Sequence, residues 1–264
     1  MLFTNQVDLF ISEIRRILAF TSGYYLDCTF GLGIISKHIY SFVTLNGKLF
    51  IYERNPIYFN NIGSFCSINV FSFNFSNLRI FDLKLEVGFS FAIVDIGYCD
   101  SEILNKRSVL NFLSYSGTVS VIEALNFFSS SYLATILGSF GNSVIRFKLM
   151  SLLRTWRAQP VIYNMSFMVA CGRNYCYFRK FLDIISRYTS IEIISLNTLL
   201  LNLFILIGVG AYIIFICFNS QEVWVVDCFV KRYLSKISYF RTFSVSFGDN
   251  STMAFMKVLK KKCL

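Results

Sequence analysis

The sequence predicts an α/β fold: a doubly wound, mostly parallel sheet interrupted by an inserted helical domain. Three observations carry this. Short apolar runs that read as buried strands alternate with helix-period segments over residues 1–102. Residues 103–185 keep the helical period without a convincing buried strand. The alternation then resumes, so 1–102 and 186–264 are expected to build the sheet domain around an insert at 103–185.

The elements follow in order. Val7 to Phe20 places Val7, Phe10, Ile11, Ile14, Ile17 and Leu18 on one helical face. YYLD (24–27) is a short strand that runs into the turn CTFGLG and then a helix from about Ile34 to Phe42. GKLFIYERNP (47–56) is a strand bounded by Gly47 and Pro56, and Ser67 to Phe73 is another. FSFAIVDIG (89–97) is apolar along almost its whole length, as a strand covered on both faces must be.

One later segment raises a rival class. Ile193 to Phe218 carries no charge over a length that could span a bilayer. Asn197 and Asn202 interrupt its first half, and Gly208 and Gly210 break its second. The favoured parse is helix, tight turn, and a buried strand from Tyr212 to Phe218. A membrane protein with a span near 193–218 stays as an alternative. The N-terminus does not read as a signal peptide, because Asp8, Glu13, Arg15 and Arg16 interrupt it.

The chain has 264 residues, of which 55% are hydrophobic and 15% charged, which excludes a disordered chain. Its formal net charge of +10 suits a polyanionic partner, nucleic acid or anionic lipid, and equally a merely basic soluble protein, so charge alone does not decide between them. Basic residues thread the insert: Lys106, Arg107, Arg146, Lys148, Arg154, Arg157, Arg173, Arg179 and Lys180. The tail ends in Lys257, Lys260, Lys261 and Lys262, which reads as a solvated charge run. None of the eight cysteines forms a C-x-x-C pair, and Cys28 and Cys217 sit in apolar runs as small hydrophobes. With His38 the single histidine, a metal site is not expected. Reduced thiols point to the cytoplasm.

Ligands of open α/β sheets bind beyond the carboxyl ends of the strands, and three of those ends carry interpretable residues. The first strand gives Asp27-Cys-Thr-Phe-Gly31-Leu-Gly33, in which glycines let the backbone approach a ligand. The second ends in Glu53, placed to accept hydrogen bonds from vicinal ribose hydroxyls. Asp95 ends a later strand, where an acid can meet an adenine amino group or the substrate. The glycine turn lacks the GKS/T ending of a P-loop, so nucleotide hydrolysis is not expected.

In this order and at these spacings the residues resemble the nucleoside site of a class I (Rossmann-like) methyltransferase. More closely, the chain resembles the bacterial small-subunit ribosomal RNA (cytosine-N4) methyltransferases, the RsmH/MraW family. YYLDCTFGLGIIS (24–36) resembles Y-x-D-x-T-F-G-x-G-G-H-S, and GKLFIYERNP resembles G-x-L-x-x-x-D-R-D-P with Glu53 at the first Asp. FNFSNL (73–78) resembles F-S-x-L, and FAIVDIGYCDSEI (91–103) resembles D-G-I-L-x-D-L-G-V-S-S-x-Q-L. FGNS (140–143), RAQP (157–160) and ICFNSQEVWVVDCF (216–229) come next, in family order. Ile34 and Ile35 stand where the family has Gly-His, and Asn219 where it has His.

The resemblance implies S-adenosyl-L-methionine as cofactor, held by Gly31, Gly33, Ile34, Ile35, Glu53, Phe75, Asp95 and Glu102. It implies methyl transfer to a cytidine N4 amine, with Asp95 and Tyr98 as the catalytic candidates, Tyr98 stacking on a flipped-out base. The expected partner is the small-subunit ribosomal RNA or the subunit itself, met by Arg154, Arg157, Arg179, Asn219 and Ser220. A homodimer stays open. So does a catalytically inactive RNA- or ribosome-binding relic of the same ancestry.

Overall fold

The structure is a computed structural model that describes residues 2–43, 47–53, 68–72, 88–95, 121–138, 141–158, 169–174, 177–178, 180–182, 184–185, 192–218, 220–247 and 252–262. The chain divides into two compact units, Met1–Gly97 with Ile193–Leu264, and Tyr98–Glu192. Its described helices are α1 (Leu2–Leu18), α2 (Ile34–Tyr40), α3 (Val121–Phe127), α4 (Ser130–Gly138), α5 (Ser143–Ala158), α6 (Glu192–Leu206) and α7 (Ser220–Arg232). The strands are β1 (Tyr24–Asp27), β2 (Lys48–Glu53), β3 (Ile68–Ser72), β4 (Phe89–Asp95), β5 (Ile207–Cys217), β6 (Ile237–Phe247) and β7 (Thr252–Lys261).

The strands form one seven-stranded sheet in the order β3-β2-β1-β4-β5-β7-β6. β1 to β5 pair in parallel, and β7 runs antiparallel to both β5 and β6. From β1 the chain order proceeds outward on one side through β2 and β3, and on the other through β4 and β5. The crevice between β1 and β4 is therefore a topological switch point, the place where such sheets bind ligands.

The apolar strands read from the sequence are the buried ones. Leu49, Phe50, Ile51 and Tyr52 are buried along β2, and Phe89 and Phe91 to Val94 along β4. Phe50 meets Phe89 edge-on at 5.3 Å and Tyr24 at 5.9 Å between ring centroids, tying β1, β2 and β4 together. One face of α1 is buried through Phe10, Ile14, Ile17 and Leu18. Leu196, Leu199, Leu200 and Leu203 of α6 and Val226 and Phe229 of α7 join the sheet's core, with Leu26 and Phe50. Cys28 and Cys217 are buried in it, and burial pushes both thiols up, which leaves them inert.

Two expectations need correction. Gly208 and Gly210 do not form a turn: α6 ends at Leu206 and β5 starts at Ile207, so both glycines lie within the strand. The backbones of β4 and β5 come close there, since a Cβ on Gly88 would lie within 2.6 Å of the Gly208 nitrogen. The β4–β5 register shifts there, and Gly210 takes a φ of +75°. Among the described residues no helix is long and apolar enough to cross a membrane.

Most of the lysine-rich tail is likewise not a solvated run. Lys257, Lys260 and Lys261 belong to β7, hydrogen-bonded between β5 and β6, with Lys257 buried and the other two partly so, while Lys262 follows the strand and is exposed. The Lys257 ammonium reaches Asp227 of α7 at 2.6 Å, and that of Lys261 caps the end of α6 through the carbonyls of Phe204 and Ile207, both at 2.9 Å.

The second unit is helical where it is described. Its core gathers Ala124 and Leu125, Leu133, Ile136 and Leu137, Ile145, Leu149 and Leu153, and then Phe178, Phe181, Leu182 and Ile185.

Candidate active site

β1 delivers Asp27 to the carboxyl edge of the sheet, and the chain turns through 28–33 into α2. Asp27 is buried, and both of its carboxylate oxygens are taken. Oδ1 accepts the Thr29 backbone N–H at 2.9 Å, the local bond that Asp makes two residues on in a turn. Oδ2 accepts the Ser36 hydroxyl at 2.5 Å, which ties the strand end to α2. Burial pushes the Asp27 carboxyl up to about 7; these two bonds oppose the shift, while the charges of Asp95 and Glu53 add to it.

The turn is pinned to both neighbouring strands. Cys28 donates its N–H to the Ile93 carbonyl of β4 at 2.9 Å, and Phe30 donates to the Tyr52 carbonyl of β2 at 3.3 Å. Its two glycines serve different ends. Gly33 has φ +74°, and a Cβ there would strike the Phe30 ring at 2.6 Å, so the turn's own packing demands glycine. Gly31 has φ +52°, and a Cβ there would meet nothing within 4 Å. The backbone at Gly31 faces open space.

Two further acids frame that opening. Glu53 ends β2, is buried, and accepts the Gly31 N–H through Oε2 at 2.7 Å. Asp95 ends β4, and its backbone N–H donates to Thr29 Oγ1 at 2.6 Å. Three carboxylates on three adjacent parallel strands thus surround one glycine turn. Acids at the ends of β2 and β4 suit a ligand that brings hydroxyl and amino donors.

Of the residues singled out from the sequence, the structure brings Gly31, Gly33, Glu53 and Asp95 to this turn. Ile34 and Ile35 open α2 directly after it, Ile34 half exposed and Ile35 partly buried. Ser220 is the exposed first residue of α7, which comes after β5 at the same edge. Arg154 is exposed on α5 of the second unit. Phe75, Tyr98, Glu102, Arg179 and Asn219 lie outside the described residues, as does the side chain of Arg157.

Sequence reasoning missed Thr29 and Ser36, and it gave the Asp27 carboxylate no role. An Asp-x-Thr step at a strand end is a recognisable turn signature and could have pointed to the first bond. Ser36 closes the motif block 24–36, but nothing in that block says that its hydroxyl meets Asp27. Glu222 was also missed: buried on α7, it accepts the Phe218 N–H at 2.7 Å and fixes the chain where β5 passes into the helix. Among the described residues no group of three or more His, Cys, Asp or Glu is arranged to hold a metal ion.

No protein-family model matches the chain. It is 24% identical to the ribosomal RNA small subunit methyltransferase H of Blochmanniella floridana over 249 aligned residues, which cover 83% of this chain and 76% of that one. This similarity supports the resemblance carried by the motif blocks. Among solved structures, a candidate rRNA-methylase from Clostridium thermocellum superposes with a TM-score of 0.50 at 10% identity, over 98% of this chain and 96% of that one. N-methyltransferase NodS from Bradyrhizobium japonicum WM9 does so with a TM-score of 0.50 at 7% identity, over 98% of each chain. The fold is that of the Rossmann-like methyltransferases.

Proposed function

We propose that the protein is an S-adenosylmethionine-dependent methyltransferase acting on small-subunit ribosomal RNA, at the N4 amine of a cytidine. One observation carries the reading: Glu53 and Asp95, from the strands either side of β1, frame the open backbone at Gly31 on the switch-point edge of the sheet. The similarity to the Blochmanniella floridana methyltransferase supports the substrate class.

The residues present fit the cofactor. Gly31 leaves room for close approach, and Glu53, held beside it at the end of β2, is a carboxylate of the kind that accepts hydrogen bonds from ribose hydroxyls. Gly31, Gly33, Glu53 and Asp95 would hold it, with Ile34, Ile35, Phe75 and Glu102 completing the pocket. When bound, the cofactor supplies an electrophilic methyl group.

The chain's own task is to position a weak nucleophile. The lone pair of a cytidine N4 amine is delocalised into the ring, so acceptors that hydrogen-bond its N–H groups must orient it. Methylation replaces one N–H by N–CH3, and the Asp95 carboxylate is the group we assign to receive the departing proton. Tyr98 would stack on the base once it has left its helix. Arg154, Arg157 and Arg179 of the second unit, taken as the substrate-recognition insert, would meet RNA phosphates. Asn219 and Ser220 would supply polar contacts near the base. Such an enzyme would work on ribosomal RNA in the cytoplasm.

A second reading rests on Ile34 and Ile35, which replace the family's Gly-His pair next to the cofactor turn: an RNA-binding relic that keeps the fold without the chemistry. Calorimetric titration with S-adenosylmethionine separates the two. Micromolar binding that disappears in Asp95→Ala, followed by N4-methylcytidine on small-subunit RNA incubated with the wild type, is the expected result. A folded protein that takes up no cofactor would leave only the relic.

A further inference from the structure

The second unit carries a helix face that neither its own core nor the proposed transfer chemistry uses. At 3.6 residues per turn, α5 buries one stripe, Ile145, Leu149 and Leu153, in the unit's core. On the opposite side Phe147 is 75% exposed, although a ring of that size normally finds cover. Val144, 62% exposed, and Arg154 flank it along the same side, one turn before and two turns after. Arg146 and Lys148, both exposed, border Phe147 in sequence. From Ser143 to Ala158 the charged residues are Arg146, Lys148, Arg154 and Arg157, and none is acidic, so the helix itself offsets none of its positive charge.

We propose that this face of α5 is a docking surface for single-stranded RNA, with Phe147 as the platform on which one unpaired base stacks and Arg146, Lys148 and Arg154 as the phosphate contacts around it. The inference rests on the RNA reading above and adds which strand state is recognised and which side chain recognises it. Charge complementarity commits the face to a polyanion, because a protein partner would have to neutralise this cluster of cations with no carboxylate in return. The exposed ring commits it to unpaired bases. Every base has a π-face, but in a duplex those faces are already stacked on one another. A groove that tracks only phosphates has no use for Phe147.

The test uses the full chain and two probes, a short fluorescent single-stranded RNA and the same RNA annealed to its complement. Phe147→Ala should weaken single-strand binding about tenfold and leave duplex binding and the thermal midpoint unchanged. Phe147→Trp should keep wild-type affinity, while Phe147→Leu should bind like the alanine variant, since leucine restores apolar area without a ring. Arg154→Gln should reduce the salt dependence of binding by about one counterion, and Phe147→Ala should leave that slope unaltered. Unchanged single-strand affinity in Phe147→Ala, full rescue by leucine, or an equal loss for duplex would overturn the stacking platform while leaving RNA as the substrate. Wild-type protein that binds neither probe at low salt would overturn the platform and the RNA reading together.

Discussion

Asp27 holds the glycine turn together from within the fold. Its oxygens are spent on Thr29 and Ser36, and Thr29 in turn accepts the Asp95 N–H, so the glycine turn and the end of β4 share one anchor. The position has a consequence for pH. A carboxyl whose folded pKa lies above its unfolded one binds more protons in the folded state, so the stability it contributes falls as pH rises between the two values. For Asp27 that window runs from its ordinary 3.8 to about 7. Urea unfolding followed across that range should show Asp27→Asn with a shallower fall in stability than the wild type; identical slopes would remove Asp27 as the titrating group. Glu53 and Asp95 were recognisable from sequence because each ends a strand. The inward role of Asp27 was not, since nothing in the order of residues says which of three strand-end acids is enclosed.

At the scale of elements, α7 and the β6–β7 hairpin are joined through a charge pair. The Lys257 ammonium is enclosed, with 4% of its side chain exposed, whereas 37% of the Asp227 side chain meets solvent. The two ends of this pair are therefore not equivalent. Asp227→Ala strands an enclosed ammonium and should cost on the order of 2 kcal/mol, discounted from a fully buried pair because solvent still reaches the site. Lys257→Met leaves a carboxylate that water can solvate and should cost distinctly less. Chemical denaturation of both variants checks the order, and equal losses would mean that water screens both charges alike. The lysine-rich tail looked solvated because charge runs ordinarily are. The burial of Lys257 and the docking of Lys261 depend on partners that a linear reading does not supply: Asp227 lies 30 residues from Lys257, and the Phe204 and Ile207 carbonyls 57 and 54 from Lys261.

On the scale of the molecule, the chain leaves its sheet after β4, builds a helical unit, and returns through α6 to complete the sheet with β5, β7 and β6. The proposed cofactor residues described by the structure all belong to the first unit, while the proposed RNA face belongs to the second. Hydrogen exchange should register that division. Saturating S-adenosylmethionine is expected to slow exchange at the turn after β1 and at the ends of β2 and β4, and to leave α4 and α5 at their ligand-free rates. Protection spread equally over both units would contradict a site confined to the sheet edge.

The sequence by itself determined the features that local rules control. Strands covered on both faces must be apolar throughout, which made β2 and β4 legible, and a tight turn that takes positive φ favours glycine, which made 31 and 33 legible. Acids at successive strand ends then marked that edge of the sheet as the candidate site. Only the tertiary structure decided how those parts engage. It set Glu53 against the Gly31 N–H, turned Asp27 inward, drew Gly208 into a strand against Gly88, and enclosed Lys257. Each of these depends on desolvation and on contacts between distant segments, which are properties of three-dimensional packing that residue order does not express.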